Sequence, residues 1–397
     1  MDTVGEHPDA ALACLGALLD GVHHTTSDEL PEVVARAGRE LGWDLTLYLV
    51  TFDQRRLVPL GRGSAEPLPV DGPEGAAFRT IEQVHADAAT WVPLLDGVER
   101  LGVLRIVPPA GSDHPAEQRQ TVRWVSMLVG HLVAAVTPYG DSISRNRGAT
   151  SRTVEAELLW NLLPPLTFAA HDVVVAGLLE PSEKVAGDAF DYAVEGSTAD
   201  VAIFDGTGHD LSSGLLTSVA LATYRNHRRR GEGLVSCAGA VDRVLAEHTD
   251  GTGFATGVLL RLDTTTGVLQ YLNAGHPFRL LLRDGRVLDS LPHSGRPLFG
   301  LGGRQATIGE IQLEPGDQVV LYTDGITEAR DHRGEFFGLD RLVSLLHRHR
   351  ADQLPAPETL RLVIRDVIDH QRGALQDDAT IVLLGWTPRV SAELLPV

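Results

Sequence analysis

Apolar residues recur at three- and four-residue steps near the start of the chain, which predicts helices over 8–22 and 28–41. The pattern then tightens. "LTLYLV" (45–50), "WVPLL" (91–95) and "RLGVLRIV" (100–107) read as strands, the last two joined by a turn at Asp96-Gly97. Helical spacing returns over 114–136, with Pro115 near the start, where a missing N–H costs nothing. Strands between flanking helices predict an α+β domain of sensor size over 8–137.

Residues 138–150 are polar and turn-rich and read as a boundary. A helix over 151–163 carries Val154, Leu158, Leu159, Leu162 and Leu163 as one apolar stripe and stops at Pro164-Pro165. Residues 138–165 thus read as a linker with an amphipathic helix. Its stripe is suited either to a second copy in a homodimer or to its own domain.

From 166 to 387 short strands dominate, at about 172–180, 189–195, 199–205, 254–263, 267–274, 278–283, 286–289, 307–312, 317–323 and 379–386. Helical stretches come in pairs, 210–230 with 234–248 and 339–349 with 357–371. Grouped strands with grouped helices predict two packed antiparallel sheets with helices outside. The tail over 388–397 reads as disordered.

Composition narrows the partners. A formal charge of −19 over 397 residues argues against nucleic acid, whose phosphates require Lys and Arg. Cys14 and Cys237 are the two cysteines, with no CxxC pair, so neither a disulfide framework nor a thiolate zinc site is expected. The first ten residues show no basic-then-apolar leader pattern, and the most apolar run, Trp124 to Val136, is interrupted by His131. The expectation is a cytoplasmic protein with no membrane partner.

Candidate chemistry lies where strands end. "VAGDAFDY" places Asp188 and Asp191 at a strand start, and "IFDGTGHDLSSG" places Asp205 at the end of the next strand, with Gly206, His209 and Asp210 following. "VVLYTDG" places Asp324 after a strand, and "LQDDATIVLL" places Asp377 and Asp378 before the last one. One Asp-Gly at a strand end is usually a turn. Four such junctions converging on one rim would require a cation, because carboxylates packed together do not all stay ionised without one. Oxygen-only donors suit Mg²⁺ or Mn²⁺, and glycine lets a backbone carbonyl come close. The D-x-D-x-T pattern, the P-loop and the EF-hand loop do not fit these segments. Spacing alone leaves a row of turns and an ion site both open.

As a set, "LLWNLLPPL", "VAGDAFDY", "AIFDGTGHDLSSGLLTSVAL", "FATGVLLRLDTTTGVLQYLNAGHPFRLLL", "LEPGDQVVLYTDGITEARD" and "DDATIVLL" resemble PPM-type metal-dependent protein phosphatases of the SpoIIE-like and RsbU-like branch. The resemblance covers about 155–386. It implies a helix-flanked β-sandwich with two Mn²⁺ or Mg²⁺ ions, hydrolysing phosphoserine or phosphothreonine with metal-activated water. Carried over, Asp188, Asp205, the Gly206 carbonyl, Asp324 and Asp377 would be metal ligands. Asp378, Asp191, His209 and His276 are secondary candidates for metal or substrate. Ala186, Ala189 and Asp210 depart from the family pattern, Asp210 reading as a helix cap. No motif aspartate is missing, which weighs against the alternative of a catalytically silent binding module.

Residues 10–137 resemble a GAF domain through "TWVPLLDGVERLGVLRIVPP". That implies a small-molecule sensor or a dimerisation module. The combined expectation is a sensor-regulated phosphatase acting on a small phosphorylated regulatory protein, such as an anti-sigma-factor antagonist.

Overall fold

The computed structural model describes residues 7–22, 25–61, 65–86, 88–109, 119–148, 153–170, 172–182, 187–208, 211–249, 253–277, 280–284, 286–288, 295–302 and 306–387. They fall into two units that divide at Ser151/Arg152.

In the first unit, α1 (His7–Val22) and α2 (Leu30–Glu40) precede β1 (Asp44–Val50), β2 (Arg56–Pro59) and β3 (Leu68–Pro69). Then come α3 (Ala76–Thr80), β4 (Val84–Ala86), β5 (Ala89–Asp96), β6 (Glu99–Val107), α4 (Arg119–Val136) and α5 (Ser142–Arg147). The strands form one antiparallel sheet in the order β3-β2-β1-β6-β5-β4. Alternation along β1 sends Leu45, Leu47 and Leu49 to a core shared with the helices, and Tyr48 and Val50 to a second core with Phe78 and Trp91. Gly130 marks where α4 lies against β5: a Cβ there would stand 1.8 Å from the Leu95 carbonyl oxygen. A six-stranded antiparallel sheet with a helical layer is compatible with the GAF-like expectation.

The second unit runs α6 (Val154–Leu162), β7 (Thr167–Ala170), β8 (Val173–Glu180), β9 (Asp188–Glu195), β10 (Thr198–Gly206), α7 (Leu211–Arg229) and α8 (Leu234–His248). It continues with β11 (Ala255–Asp263), β12 (Val268–Ala274), β13 (Leu280–Arg283), β14 (Arg286–Leu288), β15 (Gly309–Gln312) and β16 (Gln318–Tyr322). It ends with α9 (Asp324–Thr327), α10 (Leu339–Ala351), α11 (Ala356–His370) and β17 (Ala379–Trp386). A five-stranded sheet, β15-β12-β11-β10-β9, faces a six-stranded sheet, β14-β13-β16-β17-β8-β7.

Period-two alternation builds the layers. Val201 and Ile203 of β10 meet Val382 and Leu384 of β17 between the sheets. Ala202 and Phe204 point outward to α6, α7 and α8, while Ile381 and Leu383 point outward to α10 and α11. The result is the expected α-β-β-α sandwich.

The stretch expected to be a linker is divided. Ile143 of α5 is buried in the first unit's core, and Ala156 and Leu159 of α6 are buried in the second unit's core. The α6 stripe therefore packs on its own domain, with Val154 left exposed. Short strands such as β2, β3, β4 and β7 have too few residues to show a period, so the sequence did not reveal them. Residues 388–397 lie outside the described residues, as do Ala186, His209 and Asp210. No described helix is long and apolar enough to cross a membrane.

Candidate active site

Antiparallel pairing brings the strand-end carboxylates together. Asp205, near the end of β10, is the cross-strand partner of Asp188, which begins β9. In the opposite sheet β16 ends beside the start of β17, and Thr323 donates its backbone N–H to the Thr380 carbonyl at 3.0 Å. These two threonines join the sheets: the hydroxyls of Thr323 and Thr380 each donate to Asp188 Oδ2 at 2.7 Å. Both hydroxyls were missed in the sequence. Their signal was adjacency, one preceding Asp324 and the other standing two residues after Asp378.

Asp188 is buried, Asp205 and Asp324 are half-buried, and Asp377 is exposed, so the carboxylates run from the sandwich interior outward. Burial, then the Asp205 and Asp378 charges, raise the Asp188 carboxyl well above the ordinary range. Burial, then Asp324, Asp377 and Asp378, raise Asp205 to about 7. Among the described residues no Lys or Arg pairs with Asp188, Asp205 or Asp378. Mutual repulsion without a counter-charge is the condition that a hard divalent cation relieves.

No three described His, Cys, Asp or Glu side chains already form a group able to hold such an ion by themselves. The donor chemistry nevertheless fits Mg²⁺ or Mn²⁺: clustered carboxylates, backbone carbonyls and no thiolate.

Asp378 is placed differently. Its Oδ1 accepts the Ser182 N–H at 2.9 Å and its Oδ2 the Gly187 N–H at 2.7 Å, so it braces the approach to β9. Asp377 Oδ1 accepts the Asp378 N–H at 2.9 Å. The Gly206 carbonyl takes the Ser213 hydroxyl at 2.8 Å and keeps a second lone pair. Close packing explains the neighbouring glycine as well as access does: a Cβ on Gly325 would stand 1.9 Å from the Asp378 carbonyl oxygen.

Asp191 does not join the rim. Three residues beyond Asp188, it points to the other face of β9, where Arg225 Nη2 and Arg228 Nη1 each lie 2.7 Å from one of its oxygens. With both oxygens in ion pairs and 1% exposure, it is a structural anion and not a ligand for metal or substrate. Arg225 also donates to the Leu162 carbonyl at 2.5 Å, fastening the end of α6. His276 is buried behind the rim, its Nδ1 2.6 Å from Thr256 Oγ1, and burial pushes its imidazole down to about 3. His209 lies outside the described residues.

A helix-flanked double sheet with carboxylates gathered at one rim is the architecture of PPM-type phosphatases. Residues 195–387, just under half of the chain, match the family model described as Stage II sporulation protein E (SpoIIE). Over 271 residues the chain is 27% identical to Protein IcfG of Synechocystis sp., covering 61% of this chain and 42% of that protein. It is 23% identical over 212 residues to the phosphoserine phosphatase RsbU of Bacillus subtilis, covering 53% of this chain and 62% of that protein. The chain thus spans less than two thirds of either relative. Among solved structures, the RsbU and RsbW domains of Rv1364c from Mycobacterium tuberculosis align at 24% identity and a TM-score of 0.47, over 55% of this chain and 62% of that one.

Proposed function

We propose that the second unit is a metal-dependent protein serine/threonine phosphatase. The carrying observation is the set of strand-end carboxylates at one rim, with Asp188 and Asp205 repelling one another and taking no Arg or Lys partner among the described residues. In this reading Asp188, Asp205, the Gly206 carbonyl, Asp324 and Asp377 hold two Mn²⁺ or Mg²⁺ ions. When bound, such a pair supplies an activated water and neutralises phosphoryl oxygens.

The chain's own residues set the geometry. Thr323 and Thr380 fix one oxygen of Asp188 and leave the other turned from those donors. Asp378 holds the backbone at Gly187 and so positions the start of β9. The exposure gradient from Asp188 to Asp377 leaves one open side for a phosphorylated residue presented on another protein.

The similarity to a phosphoserine phosphatase supports phosphoserine or phosphothreonine as the substrate class. A small phosphorylated regulatory protein, such as an anti-sigma-factor antagonist, is the proposed partner by family analogy. Regulation by the first unit through a small ligand, homodimer formation and a cytoplasmic setting complete the proposal. They are supported by the GAF-like resemblance and by two buried, unbridged cysteines.

The test is Mn²⁺-dependent hydrolysis of p-nitrophenyl phosphate by the full chain beside Asp205→Asn and Asp324→Asn. Turnover by the wild type and its loss in both variants is expected. No metal-dependent turnover in any of the three refutes the phosphatase reading.

A further inference from the structure

A hairpin stands beside the rim and takes no part in the chemistry described above. Asp324 opens α9, and the Glu328 N–H that closes this short helix donates to the Asp324 carbonyl at 2.7 Å. Arg330 follows two residues later, which keeps its backbone within about 12 Å of Asp324. From the other side Gln376, the residue before Asp377, donates its Nε2–H to the Arg330 carbonyl at 3.2 Å. Arg330 is thus tied to two of the segments that carry the strand-end carboxylates.

The hairpin is braced at both ends. Arg330 bridges to Phe336 across it, and the Phe337 N–H donates to the Ala329 carbonyl at 2.8 Å. Asp331 Oδ1 closes the turn by accepting the N–H groups of Arg333 at 2.7 Å and Glu335 at 2.9 Å. At the base Ala329 and Phe337 are buried. Alternation then sends Arg330 and Phe336 to the opposite, outer face, away from Asp331 and Glu335. Both are exposed, Phe336 at 49%. The Arg330 guanidinium stands over the Phe336 ring, with Cζ 4.1 Å from the ring centroid. Among the described residues it has no carboxylate partner. Arg341 stacks on Phe337 in the same way, but its guanidinium also meets Nδ1 of His370 at 3.1 Å.

We propose that Arg330 is a specificity-determining residue: stacked on Phe336, it receives an acidic side chain that flanks the phosphorylated residue of the protein substrate. This rests on the phosphatase reading given above.

Charge complementarity carries the assignment. The rim is anionic and the chain carries a net −19, so an acidic segment is repelled at long range and needs a local cation to fix it. Phe336 covers one face of the guanidinium and leaves the N–H edge open, the edge that takes a carboxylate in a two-pronged pair. Arginine and aromatic side chains are also the types enriched where proteins meet. A guanidinium turned into the rim would pair with Asp324 or Asp377. Arg330 pairs with neither, so it meets a flanking residue and not the phosphoryl group. An extended segment advances about 3.3 Å per residue, so the span from Asp324 to Arg330 amounts to no more than about three or four residues of substrate.

The test is Mn²⁺-dependent turnover, by the full chain, of synthetic phosphoserine peptides flanked on both sides by Glu, by Ala or by Lys. Arg330→Gln should lower the preference for the Glu peptide over the Ala peptide about fivefold in kcat/KM, with the change in KM. Arg330→Glu should raise kcat/KM for the Lys peptide about fivefold. Phe336→Ala removes the stacking that holds the guanidinium and should lower the Glu preference about threefold, and Phe336→Tyr should restore it.

An unchanged Glu preference in Arg330→Gln overturns the proposal, and so does an equal fall for all three peptides. Arg330→Glu with the Lys peptide reads a gain, so a general loss of folding cannot imitate it, and absence of that gain in a protein that melts like the wild type also overturns the proposal. Hydrolysis of p-nitrophenyl phosphate, which has no flanking residues, reads the wild-type rim by itself. If the wild type turns over neither that ester nor any peptide with Mn²⁺, the phosphatase reading itself fails. Wild-type turnover with unaffected variants removes only this inference.

Discussion

Strand β9 carries two aspartates three residues apart, and the molecule treats their two faces in opposite ways. On the helix-facing side, Asp191 receives Arg225 and Arg228, each at 2.7 Å. On the inter-sheet side, Asp188 receives two threonine hydroxyls and more carboxylates, and burial leaves its carboxyl raised. The fold neutralises the anion it uses for packing. At the rim it concentrates like charges and, among the described residues, offers neutral donors, an arrangement that works against stability and makes sense if something cationic completes it. Sequence motifs listing both residues as acidic positions of "GDAFDY" do not separate these roles; the counter-charge does.

This contrast can be broken by substitution. The largest effect is expected on turnover: Asp205→Asn should reduce Mn²⁺-dependent p-nitrophenyl phosphate hydrolysis about a thousandfold, since metal-site charge stabilisation is worth several kcal/mol. Its metal-free melting temperature should not fall. Asp191→Asn should do the reverse, lowering unfolding free energy in urea by about 3 kcal/mol because two guanidinium groups lose a buried partner. Its turnover per folded molecule should stay within a few-fold of the wild type. An Asp191→Asn protein of normal stability that has lost turnover would move Asp191 back into the site.

A smaller effect is expected with pH. The folded-state pKa of Asp205 is raised to about 7, chiefly by burial and next by Asp324. A raised carboxyl contributes stability below its unfolded pKa of about 4 and loses it as pH rises through about 7. His276 has the opposite sign: with its pKa pushed down to about 3, its contribution is complete above about 6.5 and lost as pH falls toward 3. The two offset in the wild type, so the useful quantity is a difference. In chelator-treated protein, the melting temperature of Asp205→Asn minus that of the wild type should grow from pH 4 to pH 7, and saturating Mg²⁺ should reverse its sign. A flat difference would mean that the rim carries no repulsion.

The smallest effect is expected at Asp378, whose oxygens are committed to backbone N–H groups. Asp378→Asn keeps one acceptor, so stability should fall by about 1 kcal/mol and turnover by less than tenfold. A loss as large as that of Asp205→Asn would place Asp378 among the ligands instead.

Much of this was legible in one dimension. The continuous apolar run in "ATIVLLGW" marks a strand buried on both faces, and β17 has Ile381 and Leu383 in one core with Val382 and Leu384 in another. Asp205, Asp324 and Asp377 could be singled out because each interrupts the edge of such a pattern, where a carboxylate has no packing reason to be. The role of α6 could not be settled in the same way. A stripe of apolar residues states that a face is buried but not against what, and only packing placed Leu159 among the residues of α7 and α8.

What the sequence determined by itself is therefore periodic and local: which segments are strands, which faces are apolar, and where aspartates meet glycines. Tertiary structure alone decided which charges meet. Asp191 and Arg225 are 34 residues apart, and Thr380 and Asp188 are 192 apart. Electrostatic and hydrogen-bond energies depend on distances in space, which strand order and register fix. The separation of Asp191 from the rim, and the contact of His276 with Thr256, belong to the fold and not to any motif.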